Sequence, residues 1–144
     1  MVAIRRMKPQ DVEEVYNLGI SETRFRVGSE EQAGFWTKEQ LDSWVRSDSD
    51  VLLVAEQEAK VVGYALSHYH LPTKKATFDN LHVNPNYRGL GIGHNLTSEL
   101  VKALRNQGAF YICTLVESDN NTIVRVLEKS GFKKGKTMIW MDIN

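Results

Sequence analysis

Three glycines at alternate positions, Gly89, Gly91 and Gly93, punctuate the run YRGLGIG between an apolar strand-like segment and a helix-like one. A helix that opens in glycine presents unpaired backbone N–H groups and the positive end of its dipole, and the missing side chains let an anion approach both. Arg88 adds a charged donor at the rim. The junction reads as an anion cradle, against the plainer reading of a glycine turn beside a solvated arginine. The P-loop pattern G-x-x-x-x-G-K-[ST] is absent, and the dinucleotide pattern G-x-G-x-x-G fails. Counted from Gly89 its third glycine falls on His94, and counted from Gly91 it falls on Leu96. Glu117, at the end of the next strand, imitates a ribose-binding acid and keeps a nucleotide-binding oxidoreductase open as an alternative. That fingerprint, however, belongs after the first strand of a βαβ unit, and here the glycines follow an antiparallel meander.

The meander is read from a change of period. Val51–Gln57 and Lys60–His70 are β-rich runs separated only by Glu58 and Ala59, which predicts a hairpin, and residues 76–83 form a third run that stops at Asn84-Pro85. Before them, residues 2–7 predict a first strand. Pro9 and Asp11 open a helix carrying Val12, Val15, Tyr16 and Leu18 at helical spacing. The polar stretch SETRFRVGSEEQAGFW reads as a mobile connection. Thr37 with Gln40 forms a capping box for a helix with Leu41, Trp44 and Val45 on its apolar side. After the glycines, Ile92, Leu96, Leu100, Val101 and Leu104 repeat at three- and four-residue steps until Gly108. Residues 110–116 predict a buried strand, Ile123 to Leu127 another helix before Gly131-Phe132, and residues 138–143, MIWMDI, a closing strand. The expected fold is α/β, a mixed and mostly antiparallel sheet flanked by helices, with residues 1–144 as one domain.

At 144 residues the chain is long enough to bury a core, and its 18 Lys+Arg balance its 18 Asp+Glu. That balance removes the case for a general nucleic-acid binder, so any anion site is local. The single cysteine, Cys113, lies in an apolar run and reads as a structural thiol. With no signal-type apolar region near the N-terminus and no run of about 20 apolar residues, the expected location is cytoplasmic, without a membrane partner.

These residues carry a family resemblance. The run NLHVNPNYRGLGIGHNLTSEL resembles the acetyl-coenzyme A motif of the GCN5-related N-acetyltransferases, whose pattern [RQ]-x-x-G-x-[GA] is met by Arg88, Gly91 and Gly93. Asn120 followed by TIVRVLEKSGFKKG resembles the later Asn…Tyr-Glu-Lys-x-Gly-Phe segment of that family. The resemblance extends over residues 77–132. It implies that the N–H groups of Arg88, Gly89, Leu90, Gly91, Ile92 and Gly93 hold the coenzyme A pyrophosphate. The backbone of Leu81, His82 and Val83 would pair with the pantetheine amides as an added strand does. Asn120 would approach the pantetheine or the departing sulfur.

The activity so implied is direct transfer of an acetyl group from acetyl-coenzyme A to a primary amine, without a metal. The acceptor, a small molecule or a protein amine, and a homodimeric state both stay open. A protein that only senses acyl-coenzyme A is the alternative from a different class. The transfer needs alignment of amine and thioester, a base for the ammonium proton and a donor for the developing oxyanion, the last being a backbone N–H near Val83. Asp79 is the candidate base, read as lying two residues before Leu81 on one strand face where relatives carry a glutamate. His68, His70 and His82 are rivals, or polar sheet positions. Glu22, Phe25, Glu30, Glu31 and Trp36 are candidates to meet the amine. Leu127 stands where relatives carry a tyrosine that protonates the departing thiolate.

Overall fold

The structure, a computed structural model, describes residues 1–22 and 34–143. Five strands form one sheet in the order β1 (Ala3–Arg6), β2 (Val51–Gln57), β3 (Lys60–His70), β4 (Lys75–Val83), β5 (Tyr111–Thr114). The first three pairings are antiparallel and β4 pairs with β5 in parallel. The helices are α1 (Val12–Ile20), α2 (Lys38–Val45), α3 (Ile92–Asn106) and α4 (Asn121–Lys129).

Strand alternation sends apolar side chains to both faces, so each face needs a helical layer. Leu53, Ala55, Val62 and Ala65 pack under Ile92, Leu96, Leu100 and Leu104 of α3, with Leu127 of α4. Leu52, Val54, Tyr64 and Leu66 pack under Val12 and Val15 of α1 and Leu41 of α2. The expected local signals appear in place. Thr37 Oγ1 accepts from the Gln40 N–H at 3.1 Å and Gln40 Oε1 from the Thr37 N–H at 2.9 Å. The β2–β3 turn places Glu58 and Ala59 at φ +51° and +62°, the double left-handed geometry of a two-residue hairpin. The connection expected between α1 and α2 falls mainly on residues 23–33, outside the described residues, as do Phe25, Glu30 and Glu31.

Two expectations are corrected. Residues 132–143 form no strand, so MIWMDI does not close the sheet. In consequence β5 is an edge strand and not a buried one: its inner side meets β4, while Phe110, Tyr111 and Leu115 are more than half exposed.

Gly19 fixes the packing of the α1 layer, because a Cβ there would overlap the Phe35 ring. Gly19→Ala is expected to lose roughly 1–3 kcal/mol to overpacking, offset by up to about 1 kcal/mol of helix propensity. Urea unfolding measures the net change, and a gain in stability would show that the ring yields freely.

Candidate active site

The site follows from how β4 parts from both neighbours. Pairing with β5 runs from Lys75 and Tyr111 to Phe78 and Thr114 and stops there, whereas β4 continues to Val83. Along residues 79–83 the outer edge of β4 therefore has no strand beside it among the described residues, leaving a splay with backbone groups available to an extended ligand. On the inner side the register jumps: Phe78 lies opposite Ser67 and Asn80 opposite Leu66, so Asp79 is the extra residue of a β-bulge.

The bulge corrects the sequence reading of Asp79. Ala76 and Phe78 face the α3 cluster, and so do Leu81 and Val83, because alternation is reset by the extra residue. Asp79 does not share the Leu81 face in simple period-two fashion. Its carboxylate instead meets His68 Nδ1 at 2.7 Å, with the Asp79 side chain 16% exposed. Burial pushes this carboxyl above its usual range, and the His68 hydrogen bond opposes that rise. Of the other histidines, His70 Nδ1 lies 2.8 Å from Thr73 Oγ1. His82 is buried against Tyr64, with ring centroids 6.0 Å apart. Burial holds His82 below its usual value, the Arg88 charge adds to that, and Glu22 works against it.

Glu22, at the end of the α1 segment, brings the far side of the site together. Its Oε2 lies 4.0 Å from His82 Nδ1 and 3.7 Å from Arg88 Nη2. Tyr64 donates to Asn80 Oδ1 at 2.9 Å, and burial, then the Glu22 charge, pushes its hydroxyl well above the usual range. Tyr64 and Asn80 were not singled out by sequence. Nothing in an apolar strand marks one tyrosine as facing a polar neighbour 16 residues away.

Beyond Val83 the chain makes a 3-10 turn at Pro85–Tyr87 and enters the glycine run. Gly89 and Gly91 have φ +79° and +78°, so both positions need glycine for backbone reasons, and Gly91 is the N-cap of α3. A Cβ at either would meet no atom within 4 Å, which leaves open space in front of the helix N-terminus. Gly93 differs, with Val83 Cγ2 and Val126 Cγ1 in ordinary contact range. Arg88 is not a free rim donor: its Nε donates to the Val83 carbonyl at 3.0 Å, tying the loop to the end of β4. Asn120 caps α4, its Oδ1 accepting from the Ile123 N–H at 3.4 Å. Leu127 belongs to the α3 cluster at 5% exposure.

Splay, bulge and glycine cradle lie on one continuous length of chain, residues 79–93. The cradle can hold an anionic group at backbone N–H donors, and the splay an extended amide-bearing arm leading from it toward Asp79. Among the described residues no three His, Cys, Asp or Glu side chains gather to hold a metal ion, and no helix is long and apolar enough to cross a membrane.

The model of the Acetyltransferase (GNAT) family matches residues 12–132. An acetyltransferase of Sodalis glossinidius is 34% identical over 96 residues, covering 65% of this chain and 66% of the relative, a little under two thirds of its length. Among solved structures, the PaiA N-acetyltransferase of Thermoplasma acidophilum in complex with coenzyme A superposes with a TM-score of 0.82 at 23% identity, covering 96% of this chain and 93% of that one. The ribosomal-protein-S18-alanine N-acetyltransferase of Escherichia coli does so with a TM-score of 0.75 at 20% identity, covering 94% and 80%. At these identities the structural likeness speaks for the fold alone.

Proposed function

The chain belongs to the GNAT acetyltransferase family, and on that premise we propose that it is a cytoplasmic, single-domain N-acetyltransferase moving an acetyl group from acetyl-coenzyme A to a primary amine by direct attack in a ternary complex. The observation that carries this reading is the continuity of the splay along residues 79–83 with the left-handed glycines ahead of α3. The residues present fit the cosubstrate. The open space at Gly89 and Gly91 admits a pyrophosphate to the backbone, and the unpaired edge of β4 admits pantetheine to Leu81, His82 and Val83. When bound, acetyl-coenzyme A supplies the activated thioester carbonyl.

The chain's own part is positioning and proton handling. The Arg88 N–H is donated to the Pro85 carbonyl at 3.4 Å, so the N–H groups of residues 89–93 hold the anionic end, and Asn120, though committed through Oδ1 to its helix cap, keeps its amide N–H groups for the thiol end. A backbone N–H near Val83 faces the developing oxyanion. A primary ammonium with a pKa of about 10.4 must lose a proton before it attacks, and Asp79 accepts that proton. The half-buried carboxylate of Glu22 offers the incoming ammonium a counter-charge. Either a small-molecule amine or a protein amine satisfies these requirements.

The test follows free thiol release from acetyl-coenzyme A with a panel of polyamines, amino acids, peptides and aminoglycosides. Turnover with one class supports the reading. Tight coenzyme A binding with no turnover across the panel replaces it with a non-catalytic sensor.

The cradle is tested separately. Gly91→Val forces a branched side chain into left-handed backbone and into the space proposed for the pyrophosphate, and is expected to weaken coenzyme A binding about tenfold or more, read by calorimetric titration. Gly131→Val is the control, since Gly131 has φ +99° and equal free space but lies at the end of α4. Equal losses in both would mean that general strain, and not the cradle, sets the affinity.

A further inference from the structure

The first turn of α3, residues 92–95, carries one ionisable side chain, His94. Its Nδ1 lies 3.0 Å from Ser130 Oγ at the end of α4, and Ser130 Oγ lies 3.0 Å from the Val126 carbonyl. A hydroxyl has one hydrogen to give, and the carbonyl can only accept. Both contacts are met when Ser130 donates to Val126 and accepts from His94. The neutral ring is thereby held with its hydrogen on Nδ1 and a bare lone pair on Nε2. Among the described residues Nε2 has no hydrogen-bond partner, and the ring forms no ion pair with a carboxylate.

We infer that His94 takes up a proton when coenzyme A binds and meets its pyrophosphate as imidazolium, an inference that rests on the assignment of the cradle to coenzyme A. The position of the residue supports it. α3 has no side-chain cap, and its first helical hydrogen bond runs from the Asn95 N–H to the Gly91 carbonyl at 3.0 Å. The N–H groups of Ile92, Gly93 and His94 therefore stand ahead of the ladder, and His94 adds its own backbone donor to the cradle. Helical side chains lean toward the N-terminus, so the ring covers the turn that these donors open.

Charge points the same way. The pyrophosphate is anionic, yet Arg88 is engaged elsewhere, its Nε on the Val83 carbonyl at 3.0 Å and its Nη2 3.7 Å from Glu22. On α4, Arg125, Glu128 and Lys129 are exposed, and Glu128 pairs with Lys134 at 3.8 Å. The next charged group of α3, the exposed Glu99, sits about 140° round the helix. His94 is left as the group whose charge the ligand sets. A neutral ring would turn a lone pair toward phosphate oxygens; a proton from solvent on Nε2 replaces that repulsion with a charge-assisted hydrogen bond, and no bond of coenzyme A breaks.

The experiment titrates coenzyme A and dephospho-coenzyme A into the full chain by calorimetry, from about pH 5.5 to about 8.5, in buffers of different ionisation enthalpy that count the protons taken up. Dephospho-coenzyme A lacks the 3′-phosphate, whose own titration at about pH 6 would mix with that of the ring. His94→Asn keeps a donor for Ser130 and cannot be charged. With dephospho-coenzyme A the wild-type protein is expected to take up a fraction of a proton and to bind about tenfold more tightly at the low end of the range. His94→Asn is expected to show neither effect and to match wild type at the high end. Binding without proton uptake, or uptake that His94→Asn retains, overturns the inference and leaves the cradle assigned. Uptake with coenzyme A alone also overturns it, since the 3′-phosphate would then account for the proton. If the wild-type protein binds neither ligand at any pH, the coenzyme A reading falls and the inference falls with it.

Discussion

Asp79→Asn is expected to lower kcat by roughly 10²–10⁴-fold while leaving the affinity for coenzyme A nearly unchanged. The asparagine keeps the size of the side chain and loses only the ability to take a proton. At the bulge the carboxylate sits 2.7 Å from His68 Nδ1 and is largely buried, a setting that raises its pKa from 3.8 and makes it a stronger base than a solvated aspartate. The base form is lost as pH falls through that raised value, so the acid limb of kcat/KM lies above that of an ordinary aspartate. His68 opposes the rise, so His68→Ala is expected to move the limb to still higher pH. Stability has a separate sign. A carboxyl raised in the folded state contributes stability that is fully present below its unfolded pKa and lost as pH rises through the folded value. Near wild-type turnover of Asp79→Asn at every pH, with an established acceptor, would move the base to one of the histidines.

Much of the frame was legible because its signals are local. The hairpin at Glu58 and Ala59, the Thr37–Gln40 capping box and the glycine stop at Gly108 each depend on a few neighbouring residues, and each appears where the sequence puts it. The same holds for the bare backbone at Gly89 and Gly91, whose positive φ needs no distant partner. What failed was decided across the sheet. Where an extra residue sits in β4 depends on how it registers with Ser67 and Leu66 of β3, and a period-two reading of Asp79 and Leu81 has no access to that. The run 110–116 looks buried from its composition, but burial requires a strand on its far side, and residues 138–143 do not provide one here. Glu22 could be named from sequence only as one acid among several. Its approach to His82, 60 positions away, and to Arg88 arises because α1 ends over the β4 side of the sheet.

Leu127→Tyr is expected to destabilise the protein by about 1–3 kcal/mol and to give no rise in kcat at any pH. Leu127 is 5% exposed inside the α3 cluster, and its carbonyl accepts from the Phe132 and Ser130 N–H groups at 3.0 Å, so neither side chain nor backbone has room to turn a new hydroxyl outward. Leu127→Ala tests the same packing from the other side and should lose about 2–5 kcal/mol. Thermal unfolding reads both, at about 2–4 °C per kcal/mol for a chain near this size. The missing tyrosine need not silence the enzyme. A thiol with a pKa of about 8.5 leaves as thiolate near pH 7.5 for only about 1.4 kcal/mol, which water or the proton released from the ammonium can supply. Wild-type activity without a hydroxyl at this position is thus the expected state, and adding one fills a packed site without removing a barrier. A higher kcat for Leu127→Tyr that grows toward low pH would show instead that departure of the thiolate limits turnover and that the ring escapes the core to protonate it.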